Sequence, residues 1–100
     1  MMKVENIIKT LIEKKNYDKV QTERLAPKIE ALPEDIKEAL NTWVESDKIS
    51  EVEYNGYTVE KILKEKPSMT TLAAFLMLDW IRKDPKNALK ALKQVVIKRI

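Results

Sequence analysis

Apolar residues recur along this chain at helical spacing almost from end to end. Val4, Ile7, Ile8, Leu11 and Ile12 stand at i, i+3, i+4, i+7 and i+8. That pattern predicts an amphipathic helix of roughly three turns. Lys14, Lys15 and Asn16 follow, where cations suit the negative end of the helix dipole and Asn tolerates a left-handed cap. A second segment opens at Asp18, with Gln21 three residues on as in a capping box, and carries Val20, Leu25, Ile29 and Leu32. Pro27 lies inside it and must kink or split it, because its ring clashes with a carbonyl one turn back. Leu32-Pro33-Glu34-Asp35 is a helix start, with proline in the first turn and two acids at the positive end of the dipole. Ile36, Ala39, Leu40, Trp43 and Val44 continue it at helical spacing to about Ser46.

The pattern changes over Glu51–Glu60. Val52, Tyr54, Tyr57 and Val59 lie symmetrically about Asn55-Gly56, a pair suited to a two-residue hairpin in which both central residues take positive φ. Symmetry predicts the pairs Tyr54–Tyr57, Glu53–Thr58 and Val52–Val59. Thr58 also reads as the N-cap of a helix holding Val59, Ile62 and Leu63 and ending before Pro67, so the strands should be minimal. Ser68 then caps a helix from Met69 to about Lys83 whose apolar residues cover almost its whole circumference, which predicts burial on all sides. Trp43 and Trp80 both fall on predicted core faces. Asp84-Pro85 opens a last helix that buries Ala88, Leu89, Leu92, Val95 and Val96.

The expected fold is therefore all-α: a compact bundle of five or six helices around a buried central helix at about 69–83, with a tight turn or minimal hairpin near 52–58. With short loops and no low-complexity tract, residues 1–100 read as a single helical domain.

Composition narrows the chemistry sharply. The 100 residues are 44% hydrophobic and 35% charged, with one Gly, no Cys and no His. Without Cys there is no disulfide, thiolate nucleophile or cysteine zinc site. Without His the commonest general base and the commonest metal ligand are missing. A lone Gly56 excludes both the dinucleotide fingerprint and the P-loop. The acids Glu45, Asp47, Glu51 and Glu53 lack the spacing and the turn glycine of a calcium loop. The expectation is a protein that is not an enzyme and carries no cofactor or metal. The longest apolar run, Leu72–Leu78, is far short of the roughly 20 residues of a spanning helix, and Met1–Lys15 lacks the apolar core of a signal peptide. No membrane partner is expected, and the cytoplasm is the default location.

Charge is unevenly placed along the chain. Net charge is +3, but residues 1–31 hold seven basic and five acidic groups, residues 32–66 five and nine, and residues 67–100 seven and two. On the last helix Lys86, Lys90 and Lys93 stand at i, i+4 and i+7, preceded by Arg82 and Lys83. They form a candidate anion or partner surface, against the plainer reading of a solvated face. Ile97 continues the lysine stripe and Ile100 ends the chain, so both are candidates for a contact with a partner or a second copy, or for a frayed end. Asp79, between Leu78 and Trp80, is either a functional buried acid or the partner of Lys83 at i+4 or Arg82 at i+3, and the ion pair is the favoured reading. Tyr54 and Tyr57 could stack on bases, but the flanking Glu51, Glu53 and Glu60 favour a packing role.

Three stretches resemble a recurrent type: Leu32-Pro-Glu-Asp-Ile-Lys-Glu-Ala-Leu-Asn-Thr-Trp, Asn55-Gly-Tyr-Thr-Val-Glu-Lys-Ile-Leu, and Leu72-Ala-Ala-Phe-Leu-Met-Leu-Asp-Trp-Ile-Arg-Lys-Asp-Pro. The chain resembles the small uncharacterised all-helical proteins of low-GC Gram-positive bacteria and of their phages or mobile elements. That resemblance implies binding or regulation rather than catalysis and assigns no residue a role. The expected function is a non-catalytic protein-binding or regulatory module whose partner is another protein or a second copy, as a homodimer. The alternative is nucleic-acid binding through the basic C-terminal helix.

Overall fold

The computed structural model describes the backbone of residues 2–98 and the side-chain surroundings of residues 4–93. Contacts along the chain group into two compact units, Met1–Ser50 and Glu51–Ile100. The fold is all-α, and its one strand pair among the described residues is two residues long on each side.

The first unit is built from α1 (Met2–Glu13), α2 (Lys19–Arg24), α3 (Ala26–Glu30) and α4 (Glu34–Ser46). Asn16 takes positive φ as its residue type allows, and the chain turns into α2, where the Asp18 carboxylate accepts the Gln21 N–H at 3.0 Å. Pro27 divides the second segment rather than bending it. It has no N–H to return to the carbonyl four residues back, so α2 stops at a turn on Leu25, whose N–H donates to Thr22 O at 3.0 Å. The Leu25 carbonyl then accepts the Ile29 N–H at 2.9 Å and starts α3, with Pro27 in the first turn where it is tolerated. The predicted second helix is thus two short ones, of six and five residues.

Helix α1 packs on α2, α3 and α4. Val4, Ile7 and Leu11 from α1 meet a core that includes Ile29, Leu32, Ile36, Leu40 and Val44, all buried. A polar seam ties α1 and the turn after it to α4. The Asn6 amide donates to Asn41 Oδ1 at 3.0 Å and to Glu45 Oε1 at 2.8 Å. Lys15 stretches its stem over Trp43, with Nζ 4.6 Å from the ring centroid, and forms an ion pair with Asp47. Asp47 itself closes α4 in the left-handed conformation, φ 60°.

The second unit contains β1 (Glu53–Tyr54), β2 (Tyr57–Thr58), α5 (Val59–Glu65), α6 (Thr71–Lys83) and α7 (Pro85–Lys98). The hairpin pairs Glu53 with Thr58 and Tyr54 with Tyr57 across Asn55 and Gly56, at φ 52° and 78°. The symmetric Val52–Val59 pair does not form. Thr58 is also the N-cap of α5, accepting the Lys61 N–H at 3.1 Å, and Val59 is the first helical residue. At the hairpin tip the Asn55 amide donates to the Ile81 carbonyl at 3.3 Å, satisfying one of the acceptors left open at the end of α6.

Helix α6 is the element against which α5, α7 and β1 all pack, so within its unit it is central. Two details differ from expectation. Its N-cap is Thr70, not Ser68: the Met69 N–H closes a turn onto Lys66 O at 2.9 Å, and the helix begins only after Thr70 Oγ1 accepts from Ala73 N–H at 3.1 Å. Nor is it enclosed all round. Leu72, Ala74, Phe75, Met77, Leu78 and Ile81 are buried, but Ala73 and Leu76 are only half-buried and Trp80 is 41% exposed. Residues 73, 76 and 80 share one side of the helix, where α6 has neighbours on too few sides to cover them. Trp43, by contrast, lies in the core as expected, at 8% exposure.

Two substitutions on α6 should separate its faces. In urea unfolding, Phe75→Ala is expected to cost about 3–5 kcal/mol through the cavity it leaves. Trp80→Ala should cost about 1 kcal/mol or less.

Candidate functional site

The chemistry-bearing candidates of the C-terminal third separate into two groups. Helix α7 starts at Pro85, directly after the Asp84 C-cap of α6, and the Asp84 carboxylate accepts the Asn87 side-chain amide at 2.8 Å. Ala88 and Leu92 turn inward, which leaves Lys86, Lys90 and Lys93 exposed on the other side. The sequence of α7 contains no acid, and none of these three lysines has an ion-pair partner among the described residues. Arg82 and Lys83 are exposed too, but both are engaged. Lys83 Nζ pairs with Asp79 Oδ2 at 3.2 Å, the i+4 member of the two partners the sequence offered. The Arg82 guanidinium sits 5.9 Å from the Tyr54 ring centroid. The side chain of Ile97, and Ile100 altogether, lie outside the described residues.

Asp79 and the tyrosines occupy structural positions. One oxygen of Asp79 holds Lys83, and the other, Oδ1, is buried with no hydrogen-bond partner among the described residues. Tyr54 and Tyr57 are half-buried, and Lys61 Nζ lies 4.7 Å from the Tyr57 ring centroid while donating to Gly56 O at 3.3 Å. The two rings thus serve as seats for the cations that lock the hairpin to α5 and α6.

A concave site lies in the first unit, on the amphipathic face of α1. Between α1 and the α2–α3 pair runs a groove of about 500 Å³. Val4, Ile8, Ile12 and Ala26 give it an apolar floor. Glu5, Lys9 and Glu13 stand along its α1 edge, and Lys19 and Glu23 along its α2 edge. Val20, on α2, is 57% exposed. Ala26, at the break between α2 and α3, is a small residue of the floor. None of the five rim charges has an ion-pair partner among the described residues.

One signal of this groove was present in the sequence. The five apolar residues of α1 span a broad arc, and Val4, Ile7 and Leu11 alone satisfy the core side, so Ile8 and Ile12 are surplus to it. Whether the surplus is covered depends on the neighbour, and the neighbour is two broken turns.

The groove is apolar on its floor and edged by charged side chains from two helices. No described helix is long and apolar enough to cross a membrane. Comparison of the chain with family models, with curated proteins and with solved structures finds no match.

The two sides of α1 should respond differently to charge. Ile7→Glu places a carboxylate in the core and should unfold the first unit. Ile8→Glu, at the groove, should keep native far-UV circular dichroism and a melting midpoint within about 5 °C of the parent.

Proposed function

We propose that this chain is a non-catalytic protein-binding module, and that the groove between α1 and α2–α3 is where it takes its partner. What supports the reading is the combination of half-buried Ile8 and Ile12 on the floor with five unpaired charges on the rim. Apolar grooves of this kind between helices accept an amphipathic helix, its apolar stripe on the floor and its flanking charges on the edges. The absence of His, Cys and glycine-rich loops from the sequence points the same way, since it removes the commonest general base, the thiolate nucleophile and the phosphate-cradling loop. Replacing Ile12 by a photoreactive benzoyl-phenylalanine checks it. Irradiation in an extract of the native host should yield adducts with a polypeptide, whereas the same group at exposed Lys28 should not. A groove that captures no polypeptide, foreign or identical, overturns the proposal.

A second reading is nucleic-acid binding by α7, favoured by one observation: three exposed, unpaired lysines in a row on a helix that contains no acid. If this surface binds duplex DNA, fluorescence anisotropy should show an affinity that falls with log salt at a slope of roughly −2 to −3, one step per phosphate neutralised. Lys90→Glu should abolish it, and absence of binding at low salt eliminates this reading.

A further inference from the structure

We infer that Asn55 is a modification site: spontaneous deamidation at Asn55-Gly56 turns the donor that latches the hairpin to α6 into an acceptor, and the latch does not re-form. The chemistry needs only water. The Gly56 nitrogen attacks Asn55 Cγ, a C–N bond forms, and the side-chain nitrogen leaves as ammonia. Water then opens the resulting five-membered imide at one carbonyl or the other. One opening gives aspartate, and the other gives a β-linked aspartate with one more carbon in the backbone. Glycine after the asparagine favours the attack, because no side chain shields its nitrogen. Asn6, Asn16, Asn41 and Asn87 precede Ile7, Tyr17, Thr42 and Ala88, so Asn55 alone has that neighbour in the sequence. Asn55 and Gly56 are both exposed, and open space lies where a side chain of residue 56 would stand.

The Asn55 amide fills a position that a carboxylate cannot. In a continuous helix the Ile81 carbonyl would receive the N–H of residue 85, but Pro85 has none. The Asp84 N–H goes instead to Trp80 O at 2.8 Å. The Asn55 amide therefore stands in for the missing donor, 3.3 Å from Ile81 O. After deamidation two acceptors face each other at the negative end of the α6 dipole, an arrangement that repels and leaves the carbonyl unsatisfied. The β-linked product fails for a second reason, since an added backbone carbon does not fit a two-residue turn with φ 52° and 78°. The latch also governs the reaction. Closing the imide ring requires the Asn55 side chain and the peptide after it to swing toward each other. The bond to Ile81 and the Tyr54–Tyr57 ladder pair oppose that swing. The folded hairpin thus slows a reaction that its opening permits, and the product keeps it open.

Ageing the intact chain tests this. The protein is held in mildly alkaline buffer for several weeks, folded and in concentrated urea, and mapped by peptide mass spectrometry. Conversion should occur at Asn55 and not at the other asparagines, and should be about fivefold or more slower in the folded chain, where it waits on local opening. The converted fraction carries one more negative charge and separates by ion exchange. Its melting midpoint, and that of Asn55→Asp, should lie about 5 °C or more below the parent. Both should exchange amide hydrogens faster over residues 53–58. Asn55→Gly keeps a residue suited to the left-handed turn but has no amide, so it should resist ageing and still lose the exchange protection. Absence of conversion at Asn55 in the folded chain overturns the inference, as do equal rates in folded and unfolded chains. An Asn55→Asp variant that melts and exchanges like the parent overturns it as well.

Discussion

An apolar arc on α1 that is wider than its neighbours can cover is the constraint on which the first unit depends. Val4, Ile7 and Leu11 secure α1 to the core, and their burial leaves no freedom to rotate Ile8 and Ile12 inward. Covering those two would take a helix about as long as α1. The chain supplies instead two pieces of six and five residues, because Pro27 cannot continue the backbone hydrogen bonding of α2. The groove lies between the outer part of that arc and a segment divided at one proline.

Charge then gives the exposed floor a direction. A bare apolar groove would attract any greasy surface, and an edge of alternating sign restricts what can lie in it, because like charges brought together cost free energy and opposite ones gain a similar amount. The seam on the other side of α1 shows the contrast. There the polar groups are spent internally: Asn6 on Asn41 and Glu45, Lys15 on Asp47 and the face of Trp43. Asn6 and Lys15, turned toward α4, are partnered, whereas the charges along the groove have no ion-pair partner among the described residues.

The second unit solves a different problem, the anchoring of a very small hairpin. Two residues on each side would be marginal alone. The Asn55 amide on the end of α6, Arg82 against Tyr54, Lys61 against Tyr57 and the Thr58 cap of α5 hold it from both flanks. The same contacts withdraw Arg82 from the basic surface at the end of α6, as the ion pair to Asp79 does Lys83, and leave Lys86, Lys90 and Lys93 as its open part.

Local signals in the sequence determined the elements and most of their ends. The reason is that periodicity, proline, asparagine-glycine and capping side chains act within a few residues of themselves. The helix over 2–13, the start at Pro33, the turn at Asn55-Gly56 and the Thr58 cap were all legible on that basis. So was an ion pair for Asp79 on its own helix, though the choice of Lys83 over Arg82 was not. Coverage was not legible, because it belongs to pairs of elements rather than to either one. Apolar content placed Trp80 on a core face and Ile8 on the apolar face of α1, yet Trp80 is exposed and Ile8 half-buried, because neither has a neighbour that covers it. Which apolar side chains face water, and hence where this protein can be touched, was decided only when the broken second segment came to rest against α1.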